Sequence, residues 1–130
     1  MKKKIFCISI LLIAISGHSQ ETFNSFQKEI CKWKSESSSF SDCDKLISKT
    51  TISLDVSKKT ISFKNIDNSE PLYFIKQASQ TIDGVRKFTL ISPTDGNIFI
   101  CQLNLKSKEM VFLPENPTES NSKRLTYLLN

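Results

Sequence analysis

The sequence predicts a mainly β domain, α+β by element count. One N-terminal helix precedes a seven-stranded antiparallel meander that forms a half-open barrel or a sandwich. Three observations lead there. Apolar residues from position 50 onward recur at every second residue, the period of a strand with one buried face. Clusters of Asp, Asn, Gly, Ser and Lys punctuate these runs. The chain has 130 residues, 38% hydrophobic and 24% charged, which suits one globular domain and excludes a disordered tail or a multidomain enzyme.

The first element is an address. Met1-Lys2-Lys3-Lys4, an apolar run over residues 5–16 and the small residues Gly17 and Ser19 make residues 1–19 a secretory signal peptide. Cleavage is expected after Ser19. As a helix the apolar run would cover ~18 Å of a ~30 Å bilayer core, so it is too short to anchor the chain. A lipoprotein is disfavoured because Cys7 stands ahead of most of that run. No transmembrane segment is expected to remain. The leader takes three of the 18 basic residues, leaving 15 against 13 acidic ones and a net charge near +2. A nucleic-acid partner therefore loses its electrostatic basis.

Residues 20–48 are expected to form a helical segment with a Ser-rich loop, in one domain with the meander of residues 49–130. Phe23, Phe26, Ile30 and Trp33 fall on one helical stripe. Lys28, Glu29 and Lys32 lie mostly opposite, and Asn24 with Gln27 makes a capping pair. This predicts a helix over 24–34, with a short strand over 31–34 as the rival. A polar loop follows over 35–39, then a helical turn over 42–47 with Ser41 as its cap.

The strands follow in order. Ile52, Leu54 and Val56 alternate with polar residues, and Ser57-Lys58-Lys59 turns the chain into 60–64. Asp67-Asn68-Ser69-Glu70 leads to a long strand over 72–82. Asp83-Gly84 marks a two-residue hairpin, since both positions favour positive φ. Strands over 85–92, 97–105, 109–113 and 124–129 complete the set, with a turn at Pro93-Thr94-Asp95-Gly96 and a polar stretch over 114–123. Joined by short turns, they pair antiparallel.

Strands two to six each carry one phenylalanine, Phe63, Phe74, Phe88, Phe99 and Phe112, and the last carries Tyr127. Alternation groups Phe63 with Ile61, Phe74 with Leu72, Phe88 with Leu90, Phe99 with Cys101 and Leu103, and Phe112 with Met110. All six rings are expected in the core, together removing roughly 900–1,500 Å² from water. Seven strands filled this way leave no calyx, because about eight are needed before an interior holds even one small ligand.

Three cysteines follow the leader. Cys31 and Cys43 bracket the Ser-rich loop and are the expected disulfide. Cys101 shares a strand face with Phe99 and Leu103 and is expected to be a buried thiol. The only histidine, His18, leaves with the signal, which removes Ser-His-Asp and Cys-His chemistry and the usual catalytic zinc ligands. Gly84 and Gly96 both sit in turns, so no Gly-rich phosphate cradle exists. No catalytic residue, metal or cofactor is expected. Asp42-Cys43-Asp44 reads as the first turn of a helix rather than a calcium loop, because the glycine and further oxygen ligands are missing.

The lysine-rich leader, Lys59-Thr60-Ile61-Ser62-Phe63 and Leu125-Thr126-Tyr127-Leu128 together resemble small exported proteins of Bacteroidota. That resemblance implies export and carries no site residue over. The expected function is a secreted or periplasmic, non-enzymatic binding domain meeting a protein or an envelope component. A calycin-like carrier of an apolar ligand and a hydrolase using carboxylates alone are the alternatives.

Overall fold

A computed structural model describes residues 20–118 and 122–130; the expected signal peptide falls on residues 1–19, outside the described residues. The chain forms eight strands: β1 (Gln20–Lys34), β2 (Ser39–Asp55), β3 (Thr60–Asn65), β4 (Leu72–Ala78), β5 (Val85–Ile91), β6 (Ile98–Asn104), β7 (Glu109–Pro114) and β8 (Lys123–Leu129). Each pairs antiparallel with its neighbour in sequence, and β1 pairs with β8 to close a barrel. The meander is as expected, but the barrel is closed where a half-open one was expected. It has eight strands instead of seven. Closure pairs every strand on both sides over part of its length; the first half of β2, ahead of Thr50, pairs with β1 alone.

The N-terminal helix is overturned, because β1 occupies those residues and supplies the eighth strand. The helix-like spacing arises from a bulge between Ser25 and Gln27. Ahead of it Phe23 packs on the core; beyond it Ile30, partner of the core-packed Leu125, has returned to that face across an odd separation. Such a shift is what one extra strand residue does. Phe26 sits at the bulge, 48% exposed. Trp33 pairs with Phe40 of β2, ring centroids 5.1 Å apart. Two faces and one bulge thus imitate a single helical stripe. The helical turn expected over 42–47 is also strand, paired with β1 through Asp44, Lys45, Leu46 and Ile47. Asp42 takes φ 52° at a second irregularity and pairs with Lys34 at 2.7 Å.

The strand expected over 72–82 ends at Ala78, with only an isolated Ile82–Val85 bridge beyond. Asp83 and Gly84 adopt φ 53° and 79°, as the hairpin requires. A Cβ on Gly84 would stand 3.1 Å from Cγ of Lys106. Three four-residue turns, 35–38, 56–59 and 105–108, each end on a left-handed residue: Ser38, Lys59 and Lys108. Asp55 and Asn104 brace the second and third turns by accepting backbone N–H bonds from Lys58, and from Lys106 and Ser107.

The core comprises Ile52, Leu54, Ile61, Phe63, Phe88, Leu90, Cys101, Leu103, Met110, Phe112 and Tyr127, with Phe23, Tyr73, Ile75, Phe99, Leu125 and Leu129 packed against it. Phe74 was expected inside and is outside, 45% exposed. Tyr73 pairs with Ile61, and Phe74 with the outward Thr60. Alternation in β4 was read one residue out of phase, because Leu72, Phe74, Tyr73 and Ile75 make both faces of the strand apolar.

Candidate functional site

Antiparallel order puts the turns after β1, β3, β5 and β7 at one end of the barrel and those after β2, β4 and β6 at the other. The second end is shut. Glu21 on β1 and Arg86 on β5 stand on opposite walls, and Arg86 Nη1 donates to both carboxylate oxygens at 2.9 and 3.2 Å. The guanidinium also lies 5.3 Å from the centroid of the Phe88 ring. Beneath this strap Leu54, Ile61, Leu90, Leu103 and Met110 are wholly buried.

The first end is open and floored by rings. Phe63, Tyr73, Phe99, Phe112 and Tyr127 form one cluster. Phe99 stacks on Phe112 at 4.8 Å and Phe63 on Tyr127 at 5.5 Å, while Tyr73 meets Phe63, Phe99 and Phe112 at 6.0, 5.5 and 5.0 Å. Each such pair adds ~0.5–1.5 kcal/mol beyond its buried area. Above them lies a cleft of about 700 Å³. Phe99, Phe112 and Leu125, inward residues of three adjacent strands, make its floor, with Asn97, Pro114 and Lys123 around them. The β7–β8 loop contributes Asn116, Thr118 and Ser122 to the wall; its residues 119–121 lie outside the described residues. A second lobe of about 140 Å³ shares Phe112 and Leu125 and is lined by Lys28, Asn65, Tyr73 and Tyr127.

The inward-facing rings are therefore in part core and in part cleft floor. Of the six aromatics expected to fill the interior, Phe63, Phe88, Phe112 and Tyr127 are buried, Phe99 is half-buried beneath the cleft and Phe74 faces out. Lys28, Tyr73 and Leu125 complete the site and were missed. Lys28 pairs with Tyr127, which places it on the inner face, and Lys32 pairs with Lys123. Like charges directly opposite each other destabilise a sheet. The signal for Lys28 lay in the bulge, which a helical reading conceals.

Electrostatics divide the site from the surface carboxylates. Burial raises the titration of the Tyr73 and Tyr127 hydroxyls, and for Tyr127 the neighbouring Tyr73 adds to it. Both remain neutral donors. Asp42, Asp55 and Asp67 are displaced the other way. Lys34 holds Asp42 low, the Lys58 N–H and Ser57 hold Asp55 low, and Ser69 does so for Asp67. A catalytic general acid needs the opposite displacement. Asp95 lines the cleft, but its carboxylate accepts the Asn97 N–H at 3.0 Å within its own turn. Glu29 and Glu109 share a further depression of about 150 Å³ with Lys45, Leu128 and Lys28, the last of which also lines the smaller lobe.

Cys31 and Cys43 form a disulfide, with Sγ atoms 2.04 Å apart. Glu29 brings a carboxylate within 4.8 Å of both sulfurs. The oxidised pair offers no thiolate, so this trio is no metal site in that state. Arg124 Nη2 points at Cys31 Sγ from 3.4 Å, and its guanidinium lies 5.7 Å from the Phe40 ring centroid. Cys101 is buried and unpaired, its thiol pushed up to about 12 by burial. Among the described residues no helix is long and apolar enough to cross a membrane. No family model matches the chain, and neither does any curated protein or solved structure.

Proposed function

We propose that the protein is a secreted or periplasmic, non-enzymatic binding domain whose open barrel end takes a small, flat, largely apolar molecule. The observation that carries this reading is the cleft of about 700 Å³ floored by Phe99, Phe112 and Leu125. It opens above a barrel whose other half is packed solid. Small-molecule pockets typically occupy ~300–1,000 Å³, and eight strands are about the number at which an interior admits one ligand. Export is supported by the leader, and by the Cys31–Cys43 disulfide, a bond that persists in oxidising compartments.

Titration with N-phenyl-1-naphthylamine, a neutral fluorescent apolar probe, tests the reading. Saturable enhancement at one site per chain is expected. Leu125→Trp, which fills the cleft, weakens it about tenfold or more while cooperative unfolding is retained. Absence of binding by the unaltered protein, or equal binding by the filled variant, refutes the proposal.

A second reading, an interaction domain meeting a protein or envelope component, rests on the outer face of the β2–β1–β8 sheet. Ile47, 93% exposed, and Leu128 flank Gln27 there. Capture of an envelope partner that survives Leu125→Trp and is abolished by Ile47→Asp favours it over the cleft.

A further inference from the structure

Lysines crowd one side of the open end. Lys28, Lys32 and Lys123 all stand on the inner face of β1 and β8, two of them directly opposite each other. A pair of like charges facing a barrel mouth costs stability, and nothing in packing requires it. No described carboxylate forms a salt bridge with any of the three. Asp67 feels Lys28 only weakly, behind its own bonds to Ser69. Across the cleft Asp95 accepts the Asn97 N–H, and its carboxylate reaches the lobe only as a minor influence on Tyr73. Asp42 feels Lys32 as well as Lys34, but among the described residues none of these three lysines is held in an ion pair, so their ammonium groups remain available to an anion at this end.

The smaller lobe adds neutral donors to that charge. Lys28, Asn65, Tyr73 and Tyr127 line it together with the Phe63 and Phe112 rings. No described residue accepts a hydrogen bond from either tyrosine hydroxyl. Burial drives the titration of both hydroxyls upward, Tyr73 adding to it for Tyr127 and the Asp95 carboxylate for Tyr73, so both keep their protons at neutral pH. A lobe of about 140 Å³ admits a carboxylate-sized group and little more. It opens beside the larger, ring-floored cleft through the shared Phe112 and Leu125.

We infer that the smaller lobe is an anion subsite, in which the Lys28 ammonium and the hydroxyls of Tyr73 and Tyr127 receive the carboxylate of a ligand whose flat apolar body lies on Phe99 and Phe112. The ligand class is thus a small aromatic or cyclic carboxylic acid. This inference rests on the binding reading proposed above and narrows it. Charge-assisted bonds from an ammonium are about twice as strong as neutral ones, and the phenols add direction that a point charge lacks. Lys123, at the outer rim, attracts the anion without touching it.

Competition against N-phenyl-1-naphthylamine by 2-naphthylacetic acid and by its amide tests this. The two differ only in the charged group. The acid is expected to bind about tenfold more tightly than the amide at low salt, and the ratio shrinks as salt is raised. Lys28→Gln collapses the ratio towards one by weakening the acid far more than the amide. Tyr127→Phe, which keeps the packing, lowers the ratio about threefold, and Lys123→Gln changes it least. Neutral-probe binding with equal affinities for acid and amide, or a ratio untouched by Lys28→Gln, refutes the anion subsite and leaves the binding domain standing. Absence of binding by all three compounds refutes both.

Discussion

The two ends of this barrel are built from the same strands and spend their side chains differently. At the closed end, inward positions hold aliphatic residues with no exposed surface, and the Glu21–Arg86 pair spans the mouth above them. At the open end the same rows continue as rings, and then as Lys28, Lys32 and Lys123. An aliphatic layer fills a narrowing barrel because branched chains interdigitate at crystal-like density. Rings pack against each other at fixed angles and leave flat faces for a further flat body. The difference teaches that stability and recognition are divided along the barrel axis. A ligand at one end need not disturb the packing that holds the other.

Truncation at equivalent depth is the largest test of that division. Leu103→Ala, in the closed half, is expected to cost ~2–5 kcal/mol in denaturant unfolding, because a fully buried leucine leaves a cavity. Phe99→Ala removes a larger side chain but one already half-exposed beneath the cleft, and is expected to cost only ~1–2 kcal/mol. Its main effect falls on probe binding. Equal losses of stability at the two positions would erase the distinction.

A staple joins two strands of the open half. The Cys31–Cys43 disulfide joins β1 to β2 where Asp42, Cys43, Asp44 and Lys45 are all exposed. Closing that loop is worth ~3 kcal/mol in the chain-entropy account. Cys31→Ser with Cys43→Ser, or reduction of the unaltered protein, is expected to lower stability by that amount, and hydrogen exchange is expected to quicken in β1 and β2 before β5 and β6. Uniform quickening across all eight strands would show that the bond supports the whole barrel instead.

How far these features could be read in advance depended on whether a strand kept its phase. From Thr50 onward, alternation of Ile52 and Leu54, or of Cys101 and Leu103, gave strand identity and face correctly, because apolar residues there keep to every second position. Where both faces are apolar, as at Leu72, Tyr73, Phe74 and Ile75, the face was assigned wrongly. Where a bulge interrupts the period, as at Phe26, the element itself was misread. That second error hid the site. Lys28 on a helix is a solvated charge; the same residue beyond a bulge is the partner of Tyr127. The lesson is physical: a bulge changes face without changing composition, and only the pairing register reveals it.

Alkali probes the closed half from within. The Cys101 thiol ordinarily titrates near 9.0, and burial raises it to about 12 in the folded chain. Unfolded protein gives up that proton first, so stability is untouched below about pH 9 and falls as the pH rises from there toward about 12. Tyr73 and Tyr127, also raised, add to the fall in the same direction. Cys101→Val is expected to flatten the part of the slope that begins near pH 9. A thiol reagent at neutral pH is expected to label Cys101 only after denaturation. Rapid labelling of the native protein would mean that the aliphatic half opens as readily as the cleft.

The smallest effect concerns the strap itself. The Glu21 and Arg86 side chains are 40% and 21% exposed, so solvent screens their attraction and its contribution to stability is expected to be ~0.5–1 kcal/mol. A double-mutant cycle with Glu21→Gln and Arg86→Met measures that coupling apart from the packing that Arg86 provides over Phe88. The coupling is expected to shrink at high salt, and the affinity for N-phenyl-1-naphthylamine is expected to stay constant throughout. The strap closes an end that is already filled, so its loss opens no second site. If breaking it created a new binding event, or raised probe stoichiometry above one, the aliphatic layer beneath would be a poorer seal than its burial implies. The two ends would then differ in degree alone.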